Sequence, residues 1–221
     1  MHPGTGRGLQ MLNMLKTKSI YILFVLLSSG FTMTSGAQAQ NLTVAMATPM
    51  QVEGAGKSPM GWIDFCKSHA ADCDVKPAKP TKVRLTAARL SELDGINRKV
   101  NAAIQPVTDQ ELYGVEEKWT YPVDKGDCED YVLLKRRMLM DAGWPRQALL
   151  ITVVRDLKGD GHAVLTVVTD RGDYALDNQA EDVKPWFDTG YTYIKRQSQV
   201  DPNVWVLLGD GIGPVGVAAA P

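Results

Sequence analysis

The sequence has almost no net charge. Its 24 lysines and arginines face 25 aspartates and glutamates, a formal charge of −1. A balance this even gives no electrostatic footprint for nucleic acid. Long apolar runs are missing too. The run at residues 20–27 falls well short of the roughly 20 residues that a spanning helix needs. No internal repeat recurs, which argues against a solenoid or propeller. Histidine and cysteine are scarce, at three each, so few positions can carry thiol or imidazole chemistry. What remains is ordinary for a globular chain of 221 residues: 44% hydrophobic and 22% charged.

The N-terminal stretch reads as an export leader. Arg7, Lys16 and Lys18 make a basic region, residues 20–27 an apolar one, and Ala37-Gln38-Ala39 a small-x-small cleavage site. Cleavage is expected after Ala39. An uncleaved anchor is the alternative, and Ser28, Ser29 and Gly30 argue against it. The leader holds three basic residues and no acidic one, so the remainder moves from −1 to a formal −4. The expected organisation is a signal peptide over 1–39, a linker over 40–58, a domain over 59–208 and a flexible tail over 209–221. The expected compartment is the bacterial periplasm, or the exterior.

Export makes the odd cysteine count informative, because it implies one bridge and one leftover thiol. Cys66 and Cys73 are seven apart and suit a disulfide closing a short loop. Two free thiols, or a metal site with His69, are the alternatives, and that cluster lacks a fourth zinc ligand. Trp62 and Phe65 are expected to pin the loop to the domain. Cys128 is left free.

From Thr86 the pattern is helical. Leu90, Leu93, Ile96, Asn97, Val100 and Ile104 form an apolar stripe that ends at Pro106, with Ser91, Glu92 and Asn101 outside it. A second helix begins near Cys128, with Asp127 as N-cap and Asp130 completing a capping-box-like pair. Tyr131, Leu134, Met138 and Ala142 share a face, and Lys135, Arg136 and Arg137 read as solvated. Gly143 and Pro145 end this helix. Strand-like runs follow at 148–154, 162–168, 173–177, 191–194 and 204–208, separated by turns. Helices followed by an antiparallel meander make an α+β fold.

Cys128, His162 and Asp177 are a candidate catalytic set; a helix-terminal cysteine that is only a small buried hydrophobe and a strand histidine that is only structural are the alternatives. A nucleophilic cysteine needs a base, and the base needs an orienting partner. His2 lies in the leader and His69 in the disulfide loop, which leaves His162. A loop at residues 169–172 that sets Val168 opposite Asp173 would put Asp177 opposite Val164. That is diagonal to His162 and on the same face. A turn at Arg171-Gly172 would instead move Asp177 out of reach. Cys128 at a helix N-terminus gains from the unpaired N–H groups there. Asp127, Glu129 and Asp130 oppose thiolate formation and so need a partner of their own: a metal, a base or backbone amides.

Gly126-Asp127-Cys128-Glu129-Asp130-Tyr131, then Gly161-His162-Ala163-Val164-Leu165, then Leu176-Asp177-Asn178, together resemble the bacterial transglutaminase-like cysteine proteinases. Gly61-Trp62-Ile63-Asp64-Phe65-Cys66 resembles that family as well. The resemblance implies a papain-like or transglutaminase-like fold, with Cys128 as nucleophile, His162 as base and Asp177 as orienter. It implies a protein substrate, in the best-known members a large surface adhesin whose cleavage releases a biofilm, and an inner-membrane regulatory receptor as a partner. It also implies calcium dependence, with Asp127 and Glu129 as ligands. Asp156 and Asp160 could add oxygens, although their spacing is not that of an EF-hand. The Cys66/Cys73 pair departs from the adhesin-releasing members. The residues leave two alternatives to a protease open. One is a transglutaminase, in which an amine replaces water. The other is a non-catalytic binding protein on the same fold.

Overall fold

A computed structural model of the chain describes residues 49–209. The expected leader and residues 210–221 of the expected tail lie outside the described residues. Among the described residues there are five α-helices: α1 (Met60–Ser68), α2 (Ala70–Cys73), α3 (Ala87–Ala103), α4 (Asp109–Tyr113) and α5 (Cys128–Asp141). The strands are β1 (Val52–Gly56), β2 (Gln105–Pro106), β3 (Lys125–Gly126), β4 (Leu149–Arg155), β5 (Gly161–Thr169), β6 (Gly172–Leu176), β7 (Lys184–Pro185), β8 (Thr192–Gln197) and β9 (Trp205–Leu208). Seven of them form one antiparallel sheet in the order β1-β9-β8-β4-β5-β6-β7, and β2 pairs with β3 in parallel.

β4 and β5 sit at the centre of the sheet and are buried on both faces, apart from Arg155. That is why their sequences run almost continuously apolar instead of alternating. Val153, Ala163, Leu165 and Val167 point into the main core with Trp62, Phe65, Val132 and Leu139. Val154, Val164, Ala175 and Tyr193 point the other way, where Met50 packs over them. α5 lies between the sheet and α3. Its Tyr131, Leu134 and Met138 meet Val100, Ile104 and Ile96 of α3. Each such side chain contributes about 1.5–3 kcal/mol when fully buried, so α5 is anchored from two sides.

Three local expectations are corrected. Residues 52–56, placed in the linker, form an edge strand on β9. Their Val-Glu-Gly-Ala-Gly sequence carries no strand pattern, because the pairing is made by backbone alone. Lys135 and Arg136 are not solvated: they are 0% and 1% exposed, because α5 is covered on two sides. Arg136 Nε donates to the Leu149 carbonyl at 3.1 Å. Asp127 does occupy the N-cap position of α5, but its side chain makes no capping bond. A capping box occurs instead at α4, between Thr108 and Glu111.

Cys66 and Cys73 are joined by a disulfide, with 5.7 Å between their Cα atoms. The loop is tied down from outside. Arg137 Nη2 donates to both Asp72 carboxylate oxygens, at 2.7 and 2.9 Å, and its guanidinium stacks on Tyr121. Phe65 stacks on His69 at 4.2 Å. His69 therefore serves packing.

Candidate active site

The two strands that carry His162 and Asp177 pair in the expected register. Val168 faces Asp173 and Leu165 faces Leu176, so one step beyond the ladder Asp177 comes level with Val164. The turn is tighter than expected, since Thr169 and Gly172 also pair. It occupies Asp170-Arg171 and leaves the register unchanged. His162 Nε2 and Asp177 Oδ1 are 2.8 Å apart, and both side chains are buried. The other ring nitrogen, Nδ1, is buried without a hydrogen-bond partner among the described residues.

Asp177 is held by several elements. Its Oδ1 also accepts from Gln179 N at 2.9 Å, and its Oδ2 from the Tyr191 hydroxyl at 2.7 Å. Its backbone N–H donates to Asn97 Oδ1 and its carbonyl accepts from Asn101 Nδ2, at 3.1 and 2.9 Å. Burial alone would raise the Asp177 carboxyl, but the bonds from His162, Gln179 and Tyr191 hold it below the usual carboxylate value. α3 therefore does more than pack, and Asn101 is not an outward residue. A fully buried asparagine inside an apolar stripe was the signal available for Asn97. Nothing in the sequence links Tyr191 to the site.

Cys128 is the first residue of α5 and is 0% exposed. Its Sγ donates to Glu129 Oε2 at 3.2 Å. The backbone N–H of Ala163, next in chain to His162, is directed at the sulfur and favours the thiolate. Burial is the stronger influence, and with the charges of Glu129 and Asp127 it pushes the thiol well above its ordinary value. The turn before the helix depends on Gly126. A Cβ there would lie 2.5 Å from Asp130 Oδ2, so only glycine lets that carboxylate approach.

Asp127 and Glu129 lie in an acidic cluster, with Asp109 of α4 as a third member that the sequence did not reveal. One carboxylate oxygen from each falls within 4.8 Å of the others, and all three side chains are buried. Asp109 N donates to Asp127 Oδ2 at 3.1 Å, and Lys118 N donates to Asp109. Asp130 is buried beside them and accepts from Thr120 N at 2.8 Å. Burial, aided by repulsion from neighbouring carboxylates, pushes Asp109 up to about 6 and Asp130 up to about 8 and raises Glu129, and burial alone raises Asp127. Asp109 Oδ1 and Asp127 Oδ1 have no hydrogen-bond partner among the described residues. Buried, unpaired carboxylate oxygens converging in this way fit a hard divalent cation. Asp156 and Asp160 lie outside the cluster. Asp156 Oδ1 instead accepts from Lys158 N and Asp160 N in its own hairpin.

Residues 52–212 match the family described as bacterial transglutaminase-like cysteine proteinase, BTLCP. No curated protein matches the chain. Solved structures of Legionella pneumophila LapG do. The calcium-bound form is 19% identical, with 61% of this chain and 76% of that one covered at a TM-score of 0.45. A second LapG structure is 22% identical, covering 56% and 69% at 0.46. The EGTA-treated form is 21% identical, covering 61% and 74% at 0.46.

Proposed function

The chain belongs to the bacterial transglutaminase-like cysteine proteinases, and from that membership we propose that Cys128, His162 and Asp177 are its catalytic triad. The family is one of cysteine peptidases, so the substrate is a protein and the reaction is hydrolysis of a peptide bond. The observation that carries the residue assignment is the His162–Asp177 contact at 2.8 Å, which spends Nε2 and leaves a buried Nδ1 with no partner among the described residues.

The steps follow from those atoms. The Cys128 thiol turns from Glu129 Oε2 to His162 Nδ1 and gives up its proton. The thiolate attacks the peptide carbonyl carbon, and the tetrahedral oxyanion gathers at the head of α5. N–H groups of a first helical turn have no intrahelical partner there. His162 Nδ1–H then protonates the leaving amine as the C–N bond breaks, which leaves a thioester on Cys128. Water, deprotonated by His162, attacks the thioester. The acid leaves and the thiol is restored. Asp177, bonded to Nε2, holds the ring that carries Nδ1 and stabilises the imidazolium.

Asp109, Asp127 and Glu129 are the residues that would hold calcium. The support is their three hard oxygens and the unpaired atoms among them. When bound, the ion supplies positive charge that offsets the carboxylates opposing the thiolate. The remaining parts of the reading are a large surface adhesin as substrate, an inner-membrane receptor as regulator and a periplasmic location. The family motif supports all three. The Cys66–Cys73 disulfide supports export to an oxidising compartment. Among the described residues no helix is long and apolar enough to cross a membrane.

The test is cleavage of a purified adhesin fragment by the 40–221 chain, with calcium or with chelator, beside Cys128→Ala and His162→Ala. Wild-type cleavage that both variants lose is the expected result. Cleavage by Cys128→Ala would refute the nucleophile. No cleavage by wild type under either condition would refute the substrate.

A further inference from the structure

We propose that Tyr191 is a positioning residue of this site, whose hydroxyl and ring together fix Asp177 and His162 in their working rotamers. The inference rests on the triad reading above. A carboxylate bonded through one oxygen can still turn about its terminal torsion, which is broad. Asp177 is bonded through both. Oδ1 takes His162 Nε2 and Gln179 N, and Oδ2 takes the Tyr191 hydroxyl at 2.7 Å. The same tyrosine ring stands edge-on to the imidazole, with centroids 5.7 Å apart and planes at 84°. One side chain thus bounds the base on its flank and locks the orienter from behind.

Tyr191 is itself held in place. Its N–H donates to Thr189 Oγ1 at 3.2 Å, and Thr189 Oγ1 donates to the Trp186 carbonyl at 2.7 Å. Gly190 before it has a φ of +74°, a left-handed conformation that glycine adopts without strain. A Cβ on Gly190 would lie 3.0 Å from Leu157 Cδ2, on the hairpin joining β4 to β5. That hairpin runs directly into His162. The loop carrying Tyr191 and the hairpin carrying the base are therefore packed against each other. Burial, with the Asp177 charge, raises the Tyr191 hydroxyl far above its ordinary value, so it remains a donor.

Cys128 is the only thiol outside a disulfide, so alkylation by iodoacetamide reads the site without any protein substrate. Tyr191→Phe keeps the ring and removes the hydroxyl. We expect its alkylation at pH 7 to be about tenfold slower than wild type, the scale of one hydrogen bond to a charged group. Tyr191→Ala should be slower still. In proton NMR the His162 Nε2–H bonded to Asp177 should give a downfield signal, absent from His162→Ala. Tyr191→Phe should shift it and speed its exchange with water. Gly190→Ala, which displaces the hydroxyl without deleting it, should move rate and signal in the same direction and serves if Tyr191→Phe does not fold. A Tyr191→Phe protein with wild-type rate and signal, beside a slow His162→Ala, overturns the proposal and leaves the triad standing. A His162→Ala protein that alkylates at the wild-type rate overturns the triad reading and this proposal with it.

Discussion

Lys135 is the residue whose replacement tests the packing of α5 most directly. Its side chain is 0% exposed, and Nζ has no hydrogen-bond partner among the described residues. The Tyr131 ring, 5.7 Å from Nζ to its centroid, is a weak substitute. Burial lowers the ammonium from 10.5 to about 7, with the charge of Asp177 resisting the fall. The unfolded chain keeps this lysine protonated up to its ordinary value. Between about 7 and 10.5 the unfolded state therefore binds the extra proton, and stability rises with pH. Below about 7 both states are protonated and the whole penalty remains. At 1.36 kcal/mol per pKa unit, that penalty has an upper bound of about 5 kcal/mol. Lys135→Met keeps the length and removes the charge. We expect it to stabilise the protein at pH 6 by about 2–4 kcal/mol once relaxation around the ammonium is allowed for. The gain should shrink markedly by pH 9. Urea denaturation of both proteins at the two pH values, at fixed calcium, measures it. An equal difference at both pH values, or a variant less stable at both, would show that Nζ finds a partner and would refute the reasoning.

Three other changes have definite outcomes. Gly126→Ala places a Cβ 2.5 Å from Asp130 Oδ2, so it should cost about 1–3 kcal/mol of stability; an unchanged urea midpoint would mean the turn gives way freely. Asp109→Asn should weaken calcium-induced stabilisation, followed by melting temperature against calcium. In chelator the same variant should be more stable than wild type above pH 6. The wild-type Asp109 carboxyl is raised to about 6, so the stability tied to it is present in acid and lost as pH rises, by up to about 3 kcal/mol; a variant that is no more stable at pH 8 refutes this. Removing the disulfide with Cys66→Ser and Cys73→Ser, seven positions apart, should lower stability by about 2.5 kcal/mol from loop entropy while Cys128 alkylation is unaffected. No loss in the denaturation midpoint would assign the loop's order to the Arg137–Asp72 pair instead.

The central strands and the His162–Asp177 relation were legible because they depend on short-range rules. A two-stranded register needs only one turn to be placed, and the alternation from Val164 to His162 carries the rest. Lys135 and Arg136 were misread for a definite reason. A basic pair inside a helix reads as solvated when the helix is assumed to have one buried face, and α5 has two covered sides. Asp109 was missed because its link to Asp127 spans 18 positions and passes through a capped single-turn helix, β2-β3 pairing and an irregular loop. No local pattern encodes such a contact. Tyr191 shares this property: it reaches Asp177 from across a left-handed turn at Gly190.

Residues 126–131 draw most of these threads together, because neighbours in this stretch serve different elements. Gly126 admits the Asp130 carboxylate, and Asp130 accepts from Thr120 N. Asp127 accepts from Asp109 N, and Tyr131 reaches the Ile104 carbonyl at 2.5 Å. Glu129 is the shared member. Its carboxylate accepts the Cys128 thiol and also belongs to the acidic cluster with Asp109 and Asp127. Under the proposed reading, a cation drawing on Glu129 competes with the thiol for that carboxylate, while the cation's charge favours the thiolate. Both effects release the sulfur toward His162. Linkage then requires the reverse as well, so that whatever frees the sulfur from Glu129 tightens the cluster's hold on the ion by the same factor. The acids that oppose the nucleophile in a cation-free site are, on this argument, what makes its activation depend on the cation.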